Sequence, residues 1–154
     1  MAAVPMVLFS LGQESYAIPA HQVRKIVRSK TITSFPPAHA FMEGVLDLRG
    51  RMLAVIDLKK RFGLGVTLPP APIIIVRIPN ALVGLIVDRV DNVISIPEEL
   101  IQEAPLQAAS SLDPNFFLGI FQTEKKLVLV LNITTIFSMK ETEQLAGFLM
   151  RLPT

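Results

Sequence analysis

Apolar and polar residues alternate in short runs along most of the chain, and this spacing predicts an all-β protein. The clearest run is the one in which Leu46 and Leu48 alternate with Asp47 and Arg49. A second apolar run follows directly and is long enough for a return strand. The two runs are therefore predicted to form one β-hairpin.

Turn and helix signals stand at the ends of this hairpin. Gly50-Arg51 is predicted to close it as a two-residue turn, with the glycine at a position of positive φ. Asp57 stands where a helix N-cap belongs, ahead of a short helix over 58–62. Gly63 follows as the left-handed residue that ends such a helix.

The hairpin pattern occurs twice, at a constant spacing of 75 residues. Gly44 corresponds to Gly119 and Asp57 to Asn132, and both Asp and Asn are good helix caps. The strands before the hairpin also recur, at a spacing of 67 residues, which places an eight-residue insertion within 95–118 of the second copy. We interpret the chain as an internal duplication.

Each copy contains about five short apolar segments, enough for a small barrel that would be marginal alone at this size. Strands are predicted over 7–11 and 16–18, whereas 21–27 fits either a helical turn or a strand. We expect the two barrels to pack together across a shared apolar core. The predicted ranges are roughly 7–63 for the first barrel, 64–72 for a proline-containing linker, 73–138 for the second barrel and 139–151 for a C-terminal helix.

The composition favours a large core and gives no sign of a membrane segment. Hydrophobic residues make up 51% of the chain. No apolar run approaches the ~18 residues that a membrane helix needs. The N-terminus lacks a basic stretch followed by an apolar one, so we expect no signal peptide. The sequence has no cysteine, which excludes a disulfide framework and is compatible with the cytosol.

Charge is unevenly distributed between the halves of the chain. Residues 1–77 hold ten basic and four acidic side chains, whereas residues 78–154 hold five basic and nine acidic ones. The basic residues form two clusters, Arg24, Lys25, Arg28 and Lys30, and then Lys59, Lys60 and Arg61. These clusters fit a solvated polar face, a docking patch for an acidic protein, or a nucleic-acid surface. The last is disfavoured because no aromatic residue interleaves with the charges.

A series of short motifs runs through nearly the whole chain. In order they are Tyr16-Ala17-Ile18, Val23-Arg24-Lys25-Ile26, Pro37, Gly44-Val45-Leu46-Asp47-Leu48-Arg49-Gly50, Ala54-Val55-Ile56-Asp57-Leu58, Gly84-Leu85-Ile86-Val87-Asp88 and Leu118-Gly119-Ile120. Each motif alone is weak, but their order and spacing together are specific. In this order they resemble the CheW family, the adaptors of bacterial chemosensory arrays.

The resemblance implies both a fold and a function. The fold is a pair of intertwined five-stranded SH3-like β-barrels with a C-terminal helix. The function is that of a non-enzymatic cytoplasmic scaffold, recruited to membrane receptor arrays, that couples methyl-accepting chemoreceptors to the histidine kinase CheA. The expected partners are the regulatory domain of CheA and the cytoplasmic tips of the receptors. No cofactor, nucleic acid or direct insertion into the membrane is expected.

Three alternative functions remain at this point, and an enzyme, for which the sequence offers no site, is the least favoured of them. Within the same class, the chain could be a CheW-like adaptor of a non-flagellar chemosensory pathway. From another class, it could be a small basic β-barrel that binds nucleic acid. Salt-sensitive binding to unspecific DNA would favour the second alternative.

Five residues are candidate partner contacts. Val23, Lys25 and Val27 are predicted to share one strand face, where apolar side chains beside a charge suit an interface, although burial of Val23 or Val27 in the barrel fits equally well. The resemblance favours Arg49 as an arginine that binds a partner, with a solvated turn residue as the alternative. Gly44 is included for the shape of its backbone.

Two residues depart from the family pattern. Lys25 stands where the family usually has Glu, which inverts the charge and favours an acidic group on the partner. Asp47 stands where Asn is usual. An Asp side chain still accepts a hydrogen bond within a turn but cannot donate one.

The sequence predicts no catalytic, cofactor-binding or metal site. His21 and His39 do not stand in a metal-ligand spacing. The chain also lacks a Gly-x-Ser-x-Gly motif and a phosphate-binding loop.

Overall fold

The computed structural model describes residues 2–28, 32–33, 42–79, 81–103, 114–124, 126–138 and 141–142. These residues form two five-stranded sheets, which confirms the predicted all-β class. The strands are β1 (Ala3–Leu11), β2 (Glu14–Pro19), β3 (Val23–Val27), β4 (Met42–Leu48), β5 (Arg51–Asp57), β6 (Ile73–Ile78), β7 (Ala81–Ile86), β8 (Arg89–Pro97), β9 (Phe117–Gln122) and β10 (Leu127–Leu131). Short helices are α1 (Leu58–Phe62) and the 3-10 turns Ala20–Gln22, Glu98–Leu100 and Pro114–Phe116. Residues 21–27, which fitted either a helical turn or a strand, contain both.

The two sheets exchange strands between the halves of the chain. Sheet A has the order β8-β1-β2-β10-β9, and sheet B has the order β3-β6-β7-β5-β4. Each contains one parallel pair, β2 with β10 in sheet A and β5 with β7 in sheet B. The chain crosses between the sheets after β2 and again after β7. The repeats are therefore intertwined, as the resemblance implies, and neither 7–63 nor 73–138 makes up a sheet by itself.

The duplication extends to the irregularities of the strands. Arg24 is an extra residue of β3 opposite β6, and Asp91 is an extra residue of β8 opposite β1. Glu43 in β4 and Leu118 in β9 form a second such pair. A bulge turns the residues beyond it to the other face of the sheet. Because the bulges stand at corresponding positions, the two sheets have the same local geometry.

Both faces of each sheet are apolar, and this divides the interior into three parts. The shared core lies between the sheets and contains residues of both, among them Phe9, Tyr16, Ile56, Val83, Leu131 and Phe137. Private core B lies on the other face of sheet B and consists of Val27, Leu46, Leu53, Val55, Ile73, Ile75, Leu82 and Ile86. Private core A lies on the other face of sheet A and consists of Met6, Leu8, Ala17, Phe121, Val128 and Val130. The expected packing of the two units across a common apolar core is thus confirmed.

The turn between β4 and β5 lies one residue earlier than predicted. Its central residues are Arg49, with φ 53°, and Gly50, with φ 84°, while Leu48 pairs with Arg51. Positive φ at both positions is the type I′ geometry that suits a two-residue hairpin. The Oδ1 atom of Asp47 accepts a 2.7 Å hydrogen bond from the Gly50 N–H. The predicted Gly50-Arg51 turn is wrong because this side-chain bond fixes the turn at Arg49-Gly50.

Helix α1 begins and ends as predicted. The Asp57 carboxylate accepts a hydrogen bond from the Lys59 N–H at 3.1 Å, which is the N-cap geometry. Gly63 ends the helix in the left-handed conformation, with φ 71°. In the second copy, Asn132 accepts from the Thr134 N–H and caps a turn rather than an assigned helix.

Part of the predicted C-terminal helix, together with the residue before it, lies within the described residues. Ser138 N–H donates to the Glu141 side chain at 2.8 Å, and Glu141 N–H donates to the Ser138 hydroxyl at 3.1 Å. This reciprocal pair is a capping box. Residues 141 and 142 are helical, and the remainder of the predicted helix over 139–151 lies outside the described residues.

Among the described residues, one β-bridge joins the two edges of each sheet. Thr33, which follows edge strand β3, exchanges two 2.9 Å hydrogen bonds with Val45 of the opposite edge strand β4. Gln102, which follows β8, pairs in the same way with Ile120 of β9. The sheets are thus curled towards barrels without being hydrogen-bonded along the whole seam.

Tyr16 makes the shared core sensitive to high pH. Burial, together with the nearby charge of Glu14 and a hydrogen bond to it, raises the pKa of Tyr16 well above 10.0. An unfolded tyrosine titrates at about pH 10, so stability should be fully present below that pH and should fall as the pH rises towards the folded pKa. Since the chain has one tyrosine and no tryptophan, tyrosinate absorbance reports this residue alone.

We expect tyrosinate absorbance and the loss of circular dichroism to rise together above about pH 10. A Glu14→Gln variant should behave similarly, because burial is the largest cause of the shift. Full titration of the phenol near its ordinary pKa in a folded protein would contradict the assigned burial of Tyr16.

Candidate protein-binding face

The bulge at Arg24 separates the three candidate residues of β3. Val23 pairs with Val76 and packs against the shared core, whereas Val27 is buried in private core B. Lys25, on the same side of the sheet as Val27, is exposed. The prediction that Val23, Lys25 and Val27 share one strand face is therefore wrong. The extra residue Arg24 shifts the alternation of side chains between Val23 and Lys25. Of the three, Lys25 is the side chain that a partner can reach directly.

Lys25 and Arg49 are the two exposed cationic candidates of sheet B. Lys25 pairs with Ile75 in the middle of β6, and Arg49 occupies the turn between β4 and β5. Both side chains are exposed, and neither forms a hydrogen bond or an ion pair with another described residue. Their charges are therefore available to an external group.

The backbone of Arg49 is strained for the residue that it carries. Its φ of 53° makes it the non-glycine residue with positive φ in the described part of the chain. The first central position of a type I′ turn favours Asn, Asp or Gly, because an ordinary side chain costs about 1–2 kcal/mol in the left-handed region. An arginine at such a strained position favours a functional role for its guanidinium over a structural role of the residue in the turn.

Gly44, the fifth candidate, is buried within β4. A Cβ atom at this position would overlap the carbonyl group of Thr33, which belongs to the bridge at the edge of the sheet. Gly119 has the same relation to Gln102 in sheet A. The glycine therefore allows the bridging segment to approach, and its side-chain position faces protein rather than a partner.

The second basic cluster of the sequence is paired within the protein. Lys59 forms an ion pair with Asp88 at 3.2 Å, and Lys60 forms one with Glu43 at 2.8 Å. Arg61 bonds the Glu141 carboxylate at 3.1 Å and the Ile136 carbonyl at 2.9 Å, and its guanidinium lies 5.0 Å from the Phe116 ring centroid. Their side chains are between 18% and 30% exposed. This cluster joins elements of the fold and is not a free docking patch.

Two further arginines stand at the same end of sheet B as Arg49. Arg51 and Arg77 line a surface pocket of about 280 Å³ with Ile78, Ala81 and Leu82. Neither was singled out in the sequence. The strand alternation could have found them, because Arg51 precedes Leu53 by two residues and Arg77 follows Ile75 by two, both on the face of private core B. We call Arg49, Arg51 and Arg77 together the basic mouth.

The described part of the chain holds no group of three or more His, Cys, Asp or Glu side chains that could bind a metal ion. It also holds no helix that is long and apolar enough to cross a membrane.

Comparison with known protein families matches residues 5–141 to the CheW-like domain. This range includes both hairpins and both crossings between the sheets. The chain belongs to the CheW-like domain family.

Individual relatives share the whole arrangement. This CheW-like chain is 31% identical over 140 residues to the probable chemotaxis protein CheW of Rhizobium etli, covering 90% of each protein. It is 29% identical to Protein PilI of Pseudomonas aeruginosa, covering 92% of this chain and 76% of that protein. The crystal structure of scaffolding protein TtCheW from Thermoanaerobacter tengcongensis has a TM-score of 0.81 and 36% identity, covering 92% of both chains.

Proposed function

We propose that this CheW-like chain is a non-enzymatic scaffold that couples methyl-accepting chemoreceptors to a CheA-type histidine kinase in chemotaxis signalling. The observation that carries the proposal is the family match over both sheets, together with the likeness to a scaffolding protein over 92% of each chain. The scaffold acts in the cytoplasm and joins membrane receptor arrays through its partners. It needs no cofactor and performs no catalysis.

The arrangement of the two sheets suits a protein that binds two partners. Sheets A and B lie on opposite sides of the shared core, so each presents a different outer face and different loops. A rigid, well-packed interior keeps two such surfaces in a fixed relation, which a linking scaffold requires. We assign binding of the kinase regulatory domain to the exposed Lys25 and Arg49, because their positive charge steers an acidic surface.

A non-flagellar chemosensory pathway remains the second candidate for the same scaffold. The likeness to Protein PilI, which is not named as a chemotaxis protein, supports keeping it. Binding of nucleic acid has less support, because every aromatic side chain in the described part of the chain is buried or half-buried. Such side chains offer bases no surface for stacking.

Arg49→Ala is expected to weaken binding to the regulatory domain of the cognate kinase while leaving the fold intact. The residue is exposed, and substitutions at such sites usually shift stability within about ±0.5 kcal/mol. Arg49→Gly should weaken binding equally and raise stability by up to about 1 kcal/mol, because glycine relieves the left-handed strain. Calorimetric titration without ATP or metal, and urea unfolding of each variant, measure the two effects.

The paired variants separate a binding role from a structural one. Binding should fall in both, while stability moves in the favourable direction in Arg49→Gly. Unfolding of Arg49→Ala would make the arginine a structural brace. Failure of the wild-type chain to associate with the kinase domain at micromolar concentrations of both would sink the proposed function itself.

A further inference from the structure

The pocket between Arg51 and Arg77 holds two cationic groups without an internal counter-ion. Both side chains are exposed, and neither forms a hydrogen bond or ion pair with another described residue. The other residues lining the pocket are Ile78, Ala81 and Leu82, which are apolar. Two guanidiniums at one pocket without a described counter-ion form a site for an anionic group.

The surroundings of the pocket strengthen its positive potential. Arg49 lies at the same end of sheet B and is also unpaired within the described residues. The described carboxylate at this end is that of Asp47, and its Oδ1 atom accepts the hydrogen bond from Gly50 N–H that fixes the turn. The arginines of the basic mouth therefore have no carboxylate partner among the described residues.

The corresponding end of sheet A has a different chemistry in the same geometry. By the spacings of the duplication, Lys126 corresponds to Arg51 and Glu124 to Arg49, whereas Ser10 corresponds to Arg77. A larger pocket of about 760 Å³ lies there, lined in part by Glu124, Lys126 and Asp91. The Ser10 hydroxyl donates a 2.6 Å hydrogen bond to Asp91, which also forms an ion pair with Arg89 at 3.2 Å. The two equivalent ends therefore differ in chemistry: sheet B presents arginines without a described counter-ion, whereas sheet A presents both acidic and basic side chains.

We propose that the pocket between Arg51 and Arg77 receives an aspartate or glutamate side chain from a protein partner. The proposal rests on the proposed function, in which that partner is the kinase regulatory domain. A planar guanidinium pairs with a carboxylate through two parallel hydrogen bonds, a geometry that lysine does not reproduce. The acid enters between Arg51 and Arg77, and Arg49 attracts the surface around it.

The test is a calorimetric titration of the kinase regulatory domain with four forms of the full chain. They are the wild type, Arg51→Gln/Arg77→Gln, Arg51→Lys/Arg77→Lys and the control Lys126→Gln at the equivalent position of sheet A. We expect binding of the double glutamine variant to be weaker by about tenfold or more, the usual effect of losing hydrogen bonds to a charged group. The double lysine variant should fall between it and the wild type, and the control should match the wild type.

Charge reversal on the partner identifies the incoming acid. Each Asp and Glu of the kinase domain is changed to Lys or Arg in turn and titrated against Arg51→Glu/Arg77→Glu, and one reversal should restore binding. Urea unfolding verifies that every variant is folded, which the exposure of both arginines leads us to expect.

The outcomes distinguish this inference from the proposed function. If the wild type binds the kinase domain and the double glutamine variant binds equally well, the pocket proposal is overturned while the scaffold function stands. In that case the pocket proposal is overturned even if the variant also changes self-association in sedimentation or binding of inorganic phosphate. A change in self-association would assign the pocket to a second copy of the chain. A change in phosphate binding would make it a simple anion site. If the wild type itself does not bind, the proposed function fails first.

Discussion

Gly44→Ala is expected to lower the free energy of unfolding by about 3–5 kcal/mol, by forcing a methyl group into packed backbone and breaking two hydrogen bonds. The new Cβ atom would overlap the Thr33 carbonyl, and backbone cannot move aside as a flexible side chain can. Separation of the strands would break both hydrogen bonds between Thr33 and Val45. Urea unfolding followed by circular dichroism measures the change.

Two other glycines provide matched controls for this prediction. Gly119→Ala should have a similar effect in sheet A, because its Cβ atom would overlap the Gln102 carbonyl. Gly50→Ala meets open space and suffers only from its φ of 84°, so its loss should be about 1–2 kcal/mol. If Gly44→Ala were no more destabilising than Gly50→Ala, the bridge at Thr33 would not be a part of the folded sheet.

Asp57→Ala should destabilise the protein by about 2–4 kcal/mol, more than the ~1 kcal/mol of an ordinary helix cap. The Asp57 side chain is completely buried. Besides the Lys59 N–H, its carboxylate accepts hydrogen bonds from the Thr67 N–H at 2.9 Å and the Thr67 hydroxyl at 2.7 Å. Its removal therefore leaves buried donors of the linker without an acceptor as well as freeing the end of α1.

The corresponding cap of the second copy makes the comparison internal. Asn132 is half-buried and bonds Thr134, which is exposed, so Asn132→Ala should cost only about 1 kcal/mol. Thr67→Val removes the hydroxyl bond alone and should lie between the two. Equal losses at Asp57 and Asn132 in urea unfolding would show that the linker bonds add nothing to the cap.

The local elements of this fold follow from short-range patterns. The alternation around Leu46 and Leu48, the caps at Asp57 and Gly63, and the repeat that pairs Gly44 with Gly119 all act over a few residues or at a fixed spacing. Side-chain period and turn chemistry decide them, and neither depends on distant parts of the chain. These parts of the structure were therefore predictable.

The arrangement of the candidate site depended on features that the alternation does not carry. The bulge at Arg24 becomes definable only when β3 is paired with β6, and it moves Val23 to the opposite face from Val27. The pairing of Lys59 with Asp88 joins residues that are far apart in sequence, so a cluster of charges could not be told from a free patch. Arg51 of β5 and Arg77 of β6 line one pocket because a single strand, β7, separates β5 from β6 in sheet B.

The exchange of strands between the sheets also affects how the chain folds during its synthesis. Residues of β1 pair with residues of β8 that are 79 to 94 positions later, and β2 pairs with β10, the last strand of the described residues. Pairings of such long sequence separation form slowly, since the intervening chain must first be ordered. When only the first repeat has emerged, the nascent chain therefore holds a β1–β2 hairpin with two apolar faces. The residues that cover these faces in the folded protein are still inside the ribosome. Such a hairpin is the kind of transient apolar surface that chaperones protect from aggregation.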